Sequence, residues 1–173
     1  MSKAFTRESD DLPDLPAAPR NLSPLPAGAK NYVTSGGLRK MREELERLTS
    51  IKRPRLAALP GESEGKQQLR LLDQRIQQLQ QSLLSAVMVS PPAPPWEQVR
   101  FGATVTVRDR RSGETRYRIV GVDETDLDRD WVSWLSPIAK ALLNARVGQR
   151  VRFKFPSGEE ELEIVRIEYE EGV

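Results

Sequence analysis

Carboxylates are the residues through which this chain could do chemistry. It has no cysteine and no histidine, so thiol nucleophiles, histidine-based triads and Cys/His metal sites are excluded. Two acidic clusters are candidates. Glu62 and Glu64 flank Ser63 in the segment Leu59-Pro60-Gly61-Glu62-Ser63-Glu64-Gly65, and Asp123 to Asp130 forms a second acidic stretch. The second lacks the ligand spacing and the closing bidentate glutamate of a calcium loop, and reads as a solvated loop. The first reads most simply as an acidic turn, since carboxylates beside a serine are common in loops.

The first cluster is placed by the helices on either side. Leu38, Met41, Leu45 and Leu48 step three, four, three, and so do Leu69, Leu72, Ile76, Leu79 and Leu83, the seam of a coiled coil. Pro60 and Gly61 reverse the chain between them. The expectation is an antiparallel helical hairpin over residues 31–89 with an acidic tip. Thr34 or Ser35 caps its first helix, with Tyr32 or Val33 stapling the first turn. Pro54 should kink or end that helix near Lys52, and the second helix should run from Lys66 to about Met88. The basic residues of the first helix admit two readings. One is a solvated face with local pairs such as Glu43–Arg47; the other is a surface that slides into an acidic or nucleic-acid-lined channel.

Residues 1–30, rich in proline, alanine and acids, read as a disordered or extended arm, either a loose tail or a segment that docks on a partner. Residues 90–96 hold the run Ser90-Pro91-Pro92-Ala93-Pro94-Pro95 and form a semi-rigid linker, with Trp96 sealing it onto the next domain. From residue 97 to 173 the period changes to two. A hairpin turns at Arg110 to Gly113, and a short strand spans Trp131 to Trp134 with both tryptophans read onto one face as core. Ser136 caps a helix that has Pro137 at its first position and runs to about Asn144. Two further strands are joined at Pro156-Ser157-Gly158, the last bulged at Val165-Arg166. The fold class is α+β: a helical hairpin followed by a small antiparallel sheet domain with one helix. A net charge of +2 argues against a dedicated nucleic-acid binder, and no apolar run approaches a membrane span. The expected setting is cytoplasmic.

Three stretches carry a family resemblance. They are Tyr32-Val33-Thr34-x-x-Gly37-Leu38-x-x-Met41-x-x-Glu44-Leu45, Tyr117-Arg118-Ile119-Val120-Gly121-x-Asp123-Glu124 and Ser136-Pro137-Ile138-Ala139-Lys140-Ala141-Leu142-Leu143. In this order around a helical hairpin they resemble the GreA/GreB family of bacterial transcription elongation factors, GreB most. The resemblance implies a C-terminal domain of FKBP-like topology that docks at the rim of the secondary channel of RNA polymerase, with Ser136, Pro137 and Ile138 in the contact. It also implies a monomeric, DNA-binding transcription regulator without sequence-specific nucleic-acid contacts of its own. The stalk would enter the channel, where tip acids help hold a magnesium ion shared with the polymerase active site. Such a protein is not itself an enzyme and holds no metal when free. The tip departs from the family pattern: Glu62 and Glu64 stand near the expected acids, but the Asn-Ala-Glu-Tyr that follows in the family is missing. Each helix is also about two turns shorter, which at ~1.5 Å per residue retracts the tip by about 10 Å. Metal ligation tolerates only tenths of an ångström, so the resemblance implies a polymerase-binding regulator without full cleavage competence. The alternatives are a true cleavage stimulator that uses Glu62 and Glu64, and an adaptor for another protein.

Overall fold

The computed structural model describes residues 25–58 and 63–170. The bulk of the expected arm, and the tip residues 59–62 with Glu62 among them, lie outside the described residues.

The apolar seam folds the first half into a stalk. Helix α1 (Ser35–Arg47) continues through a π-helical turn (Leu48–Lys52) into α2 (Arg53–Ala57), and α3 (Ser63–Ser85) returns alongside. Met41, Leu48, Leu72, Ile76 and Leu79 are buried between them, with Leu38, Leu45, Leu56 and Leu83 packed at the margins. Val33 is buried in the same cluster and serves as the staple. Thr34 is the cap, its hydroxyl oxygen accepting the Gly37 N–H at 3.0 Å. Two arginines hold the hairpin in register. Arg75 grips Glu44 through two bonds of 3.1 Å, and Arg53 reaches Asp73 at 2.7 and 3.3 Å. The expected pair Glu43–Arg47 does not form; Glu43 meets Arg39 instead, at 4.0 Å.

Pro54 does not stop the helix as expected. A proline lacks the N–H for an α-helical bond and its ring crowds the carbonyl four residues back. The turn just before it widens, so that the Arg53 N–H bonds to the Leu48 carbonyl, and the backbone stays helical through Arg53. The Thr49 hydroxyl adds a bond to the Leu45 carbonyl at 2.8 Å. The widened turn accommodates the ring without breaking the helix.

Helix α3 ends earlier than the sequence pattern indicates. Residues 86–88 leave it as a strand, β2 (Ala86–Met88), which pairs in parallel with β1 (Asn31–Val33) at the base of the stalk. Two strands of three residues are too short to show a period.

The second half is a five-stranded sheet ordered β5-β4-β3-β7-β6, built from β3 (Ala103–Arg108), β4 (Glu114–Val120), β5 (Trp131–Ser133), β6 (Arg150–Phe155) and β7 (Gly158–Tyr169). The expected antiparallel sheet is mixed, because β5 runs parallel to β4. The chain from Val120 to Trp131 makes the crossover that parallel pairing requires, through 3-10 turns at Val122–Glu124 and Leu127–Arg129. Where β3 meets β7, Thr106 faces Arg166 and Val107 faces Ile164, so Val165 is the extra residue of the anticipated bulge. Helix α4 (Pro137–Leu142) lies against the sheet, with Ala139 and Leu142 in a core shared with Val105, Ile119, Ile164 and Ile167. It stops two residues short of the expected end, and Asn144 follows with a positive φ of 68°. Trp96 does seal the linker: its indole N–H donates to the Pro92 carbonyl at 3.0 Å and its ring meets Tyr169 at 5.4 Å. Burial pushes the Tyr169 phenol up from its ordinary range.

Among the described residues no helix is long and apolar enough to cross a membrane.

The buried residues form two separate cores, one in the stalk and one in the sheet domain. Leu72 is fully buried in the first. Leu72→Ala should therefore cost about 2–5 kcal/mol by transfer and cavity terms. Amide hydrogen exchange should speed up along α1 and α3 while β3 and β7 stay protected. Uniform loss of protection in both halves would show that they share one core.

Candidate functional site: the stalk–domain junction and the tip

The sequence reads Asp123 to Asp130 as solvated. The structure corrects this for Glu124, whose carboxylate is turned inward to join the two halves. Glu124 Oε2 accepts the Thr34 N–H at 2.9 Å and the Gly121 N–H at 3.0 Å, and Oε1 accepts the Thr34 hydroxyl. A carboxylate with three donors is held by charge-assisted bonds, each stronger than a neutral one. The Thr34 hydroxyl donates to Glu124 while its oxygen caps α1, so the pin and the helix start share one residue.

Two glycines permit the approach. A Cβ on Gly37 would lie 1.9 Å from Glu124 Oε1, and one on Gly121 would lie 2.1 Å from the Tyr32 carbonyl oxygen. Glycine in the first turn of a helix gives up about 1 kcal/mol of helix propensity, and at Gly37 that loss makes room for the carboxylate.

Around the pin the contacts are layered. Tyr32 is wedged between Trp134, at 5.1 Å edge-on, and Phe101, at 5.8 Å. The buried Asn31 amide donates to the Ser82 carbonyl, Ser85 Oγ and Asp123 Oδ2, at 3.1 to 3.3 Å. On the other flank Lys40 from the stalk lies 5.0 Å from the Trp131 ring, which also carries Arg118 at 4.5 Å and Arg129 at 5.6 Å. The two tryptophans therefore do not share a core face. Alternation along a strand separates positions three apart, so Trp134 goes to the aromatic wedge and Trp131 to the cations. A cleft of about 250 Å³ remains at the junction, lined by Lys40, Glu44, Arg75, Asp126 and Trp131 among others.

The residues singled out in the sequence are spread over three places. Glu64 is exposed on the first turn of α3, at the far end of the stalk; Glu62 is not described. Ser136 caps α4 by accepting the Ala139 N–H at 3.2 Å. Pro137 is exposed beside it and Ile138 is half-buried against the sheet core. Pro137 thus stands on a turn fixed from both sides. Sequence reasoning missed Glu124, Asn31 and the glycines as a unit. The available signal was the pair Gly36-Gly37 at a helix start, a poor place for glycine without a packing reason.

The geometry defines a class of protein: a helical stalk joined by side-chain contacts to a small α+β domain. Residues 93–169 match the family model described as "Transcription elongation factor, GreA/GreB, C-term". The chain is 37% identical over 154 residues to transcription elongation factor GreB of Neisseria meningitidis serogroup A, covering 81% of this chain and 94% of that one. It is also 37% identical over 156 residues to transcription elongation factor GreA of Alkalilimnicola ehrlichii, covering 82% and 99%. Among solved structures it is similar to a GreA/GreB elongation factor from Nitrosomonas europaea, with a TM-score of 0.41 and 24% identity over 81% of this chain and all of that one. Another is the GreA factor homolog Gfh1 of Thermus thermophilus, with a TM-score of 0.39 and 22% identity over 81% and 99%. The chain belongs to the GreA/GreB family of transcription elongation factors.

The junction yields a direct prediction. Glu124→Ala leaves the Thr34 and Gly121 donors without their carboxylate, at a cost of about 2 kcal/mol or more. Gly121→Ala forces the Tyr32 carbonyl away, at about 1–3 kcal/mol. Both should speed hydrogen exchange at Thr34 and along β1 and β2. Unchanged exchange there in both variants would show that the pin does not hold the junction.

Proposed function

We propose that this family member binds RNA polymerase through its sheet domain and regulates elongation by placing its stalk in the secondary channel. In this reading it lacks full transcript-cleavage competence and is not itself an enzyme. The observation that carries the reading is the pinned junction. A stalk held to its domain by Glu124, Tyr32 and Lys40 has its tip position fixed as soon as the domain docks. Rigid elements deliver a group to a partner's site with less entropy loss than mobile ones.

The reach of the tip supports a regulator rather than a cleavage factor. Helix α3 has 23 residues, about 35 Å at 1.5 Å per residue, where the resemblance implies a helix about two turns longer. Glu64 is the one carboxylate described at the tip. A magnesium ion at the tip would take most of its ligands from the polymerase. The exposed Pro137, on a turn fixed by the Ser136 cap and by packing of Ile138, supplies the kind of rigid knob that a docking contact uses.

The test is RNA cleavage in a backtracked elongation complex with magnesium and polymerase from the same organism. Saturating protein should bind polymerase, leave cleavage at its intrinsic rate and slow a cleavage-competent relative by competition. Pro137→Glu should weaken polymerase binding by about tenfold or more, equivalent to about 1.4 kcal/mol, with unchanged thermal stability. Faster cleavage that is lost in the double variant Glu62→Ala, Glu64→Ala would overturn the regulator reading and establish a cleavage stimulator. No binding to polymerase at all would point to an adaptor for another partner.

A further inference from the structure

A second groove, of about 750 Å³, runs along the linker on the side of Tyr32. Its apolar wall comes from Tyr32, Trp96, Phe101 and Leu143, and the linker prolines Pro92 and Pro95 form its rim. Arg100 and Arg146 are exposed at its edge, and neither side chain meets a carboxylate among the described residues; the Arg100 guanidinium donates to Gln98 Oε1, at 3.2 Å. Glu97 is the single acid in the lining. The groove thus combines aromatic surface with a cationic edge, the combination that takes a proline-rich acidic peptide. Aromatic-lined grooves bind such segments because their backbone is largely preset, so little entropy is lost on docking.

The same chain carries a segment of that chemistry. Between Glu8 and Pro19 lie four acids, Glu8, Asp10, Asp11 and Asp14, no cation, and the prolines Pro13, Pro16 and Pro19 spaced three apart. Leu12 and Leu15 each precede one of these prolines and offer apolar side chains. The attachment point is favourable. The described chain begins at Leu25, makes a turn closed by the Ala29 N–H on the Pro26 carbonyl at 2.9 Å, and enters β1, whose Tyr32 is part of the groove wall. From Leu25 back to Pro13 an extended segment at about 3.1 Å per residue spans roughly 37 Å. A tether that can span its site converts binding into an intramolecular step at effective concentrations on the order of millimolar, so modest intrinsic affinity suffices.

We infer that residues 8–19 dock in this groove of their own chain, with Leu12, Leu15 and the prolines against Tyr32, Trp96 and Phe101, and with Asp10, Asp11 and Asp14 facing Arg100 and Arg146. Docking covers the seam at which Tyr32 of the stalk meets Phe101 of the domain. This inference rests on the groove and the arm alone and is independent of polymerase binding.

The chain has no native cysteine, so a single Ala17→Cys in the full chain carries a nitroxide label cleanly. Relaxation enhancement is read at the indole N–H resonances of Trp96 and Trp131, with unlabelled protein added in excess to suppress contacts between copies. The Trp96 signal should broaden at least threefold more than that of Trp131, which lies across the junction against Lys40. The difference should vanish in Arg100→Glu, Arg146→Glu and return when Asp10, Asp11 and Asp14 are also changed to lysine. Equal broadening of both indoles, or a Trp96 effect indifferent to the charge swap, would overturn the proposal. So would an effect present only between a spin-labelled chain and a separate isotope-labelled one, which would assign the groove to a second copy.

Discussion

The carboxylate of Glu124 is the constraint on which the rest of the arrangement depends. It reaches from the 3-10 turn after β4 to the first residues of the stalk, where it takes two donors from Thr34, and it takes a third from Gly121 on its own side. Because Thr34 also caps α1, the start of the stalk and its attachment are one structure. The aromatic wedge of Tyr32 and the Lys40–Trp131 contact flank the pin on opposite sides, and three points of contact fix an orientation where one would leave a hinge. Gly37 and Gly121 are the spaces that this geometry requires.

A fixed base is useful only if the stalk itself is stiff. The seam of leucines supplies the packing, and Arg75–Glu44 and Arg53–Asp73 set the register with two-point bonds across the hairpin. These arginine pairs are partly exposed, and their contribution is to register more than to stability. The π-helical turn before Pro54 preserves continuity where a proline would otherwise interrupt the lever. Base and stalk together turn recognition by the sheet domain into placement of a tip.

How much of this was legible depends on the range of the interaction. The stalk seam, the Thr34 and Ser136 caps and the bulge at Val165 all follow from local patterns. Strands β1 and β2 were hidden because three residues carry no period, and their pairing joins positions far apart in sequence. The parallel placement of β5 depends on a crossover whose acids looked solvated. Glu124 is the clearest case: nothing beside it in sequence distinguishes it from Asp123, and its partner is at Thr34. Trp131 and Trp134 differ from the expectation for another reason, since strict alternation along a strand sends positions three apart to opposite faces. The tip acids were legible as a feature of sequence, but their role depends on what the stalk reaches.

The central claim is that stalk and domain form one body held by Glu124. The most direct measurement is the distance between nitroxide labels at Gln74→Cys on α3 and Glu159→Cys on β7, both exposed positions, by pulsed dipolar spectroscopy. A single narrow distribution, broadened when Glu124 is changed to alanine, is the predicted result. A broad distribution in the otherwise unaltered chain, or a narrow one that Glu124→Ala leaves unchanged, would contradict the account.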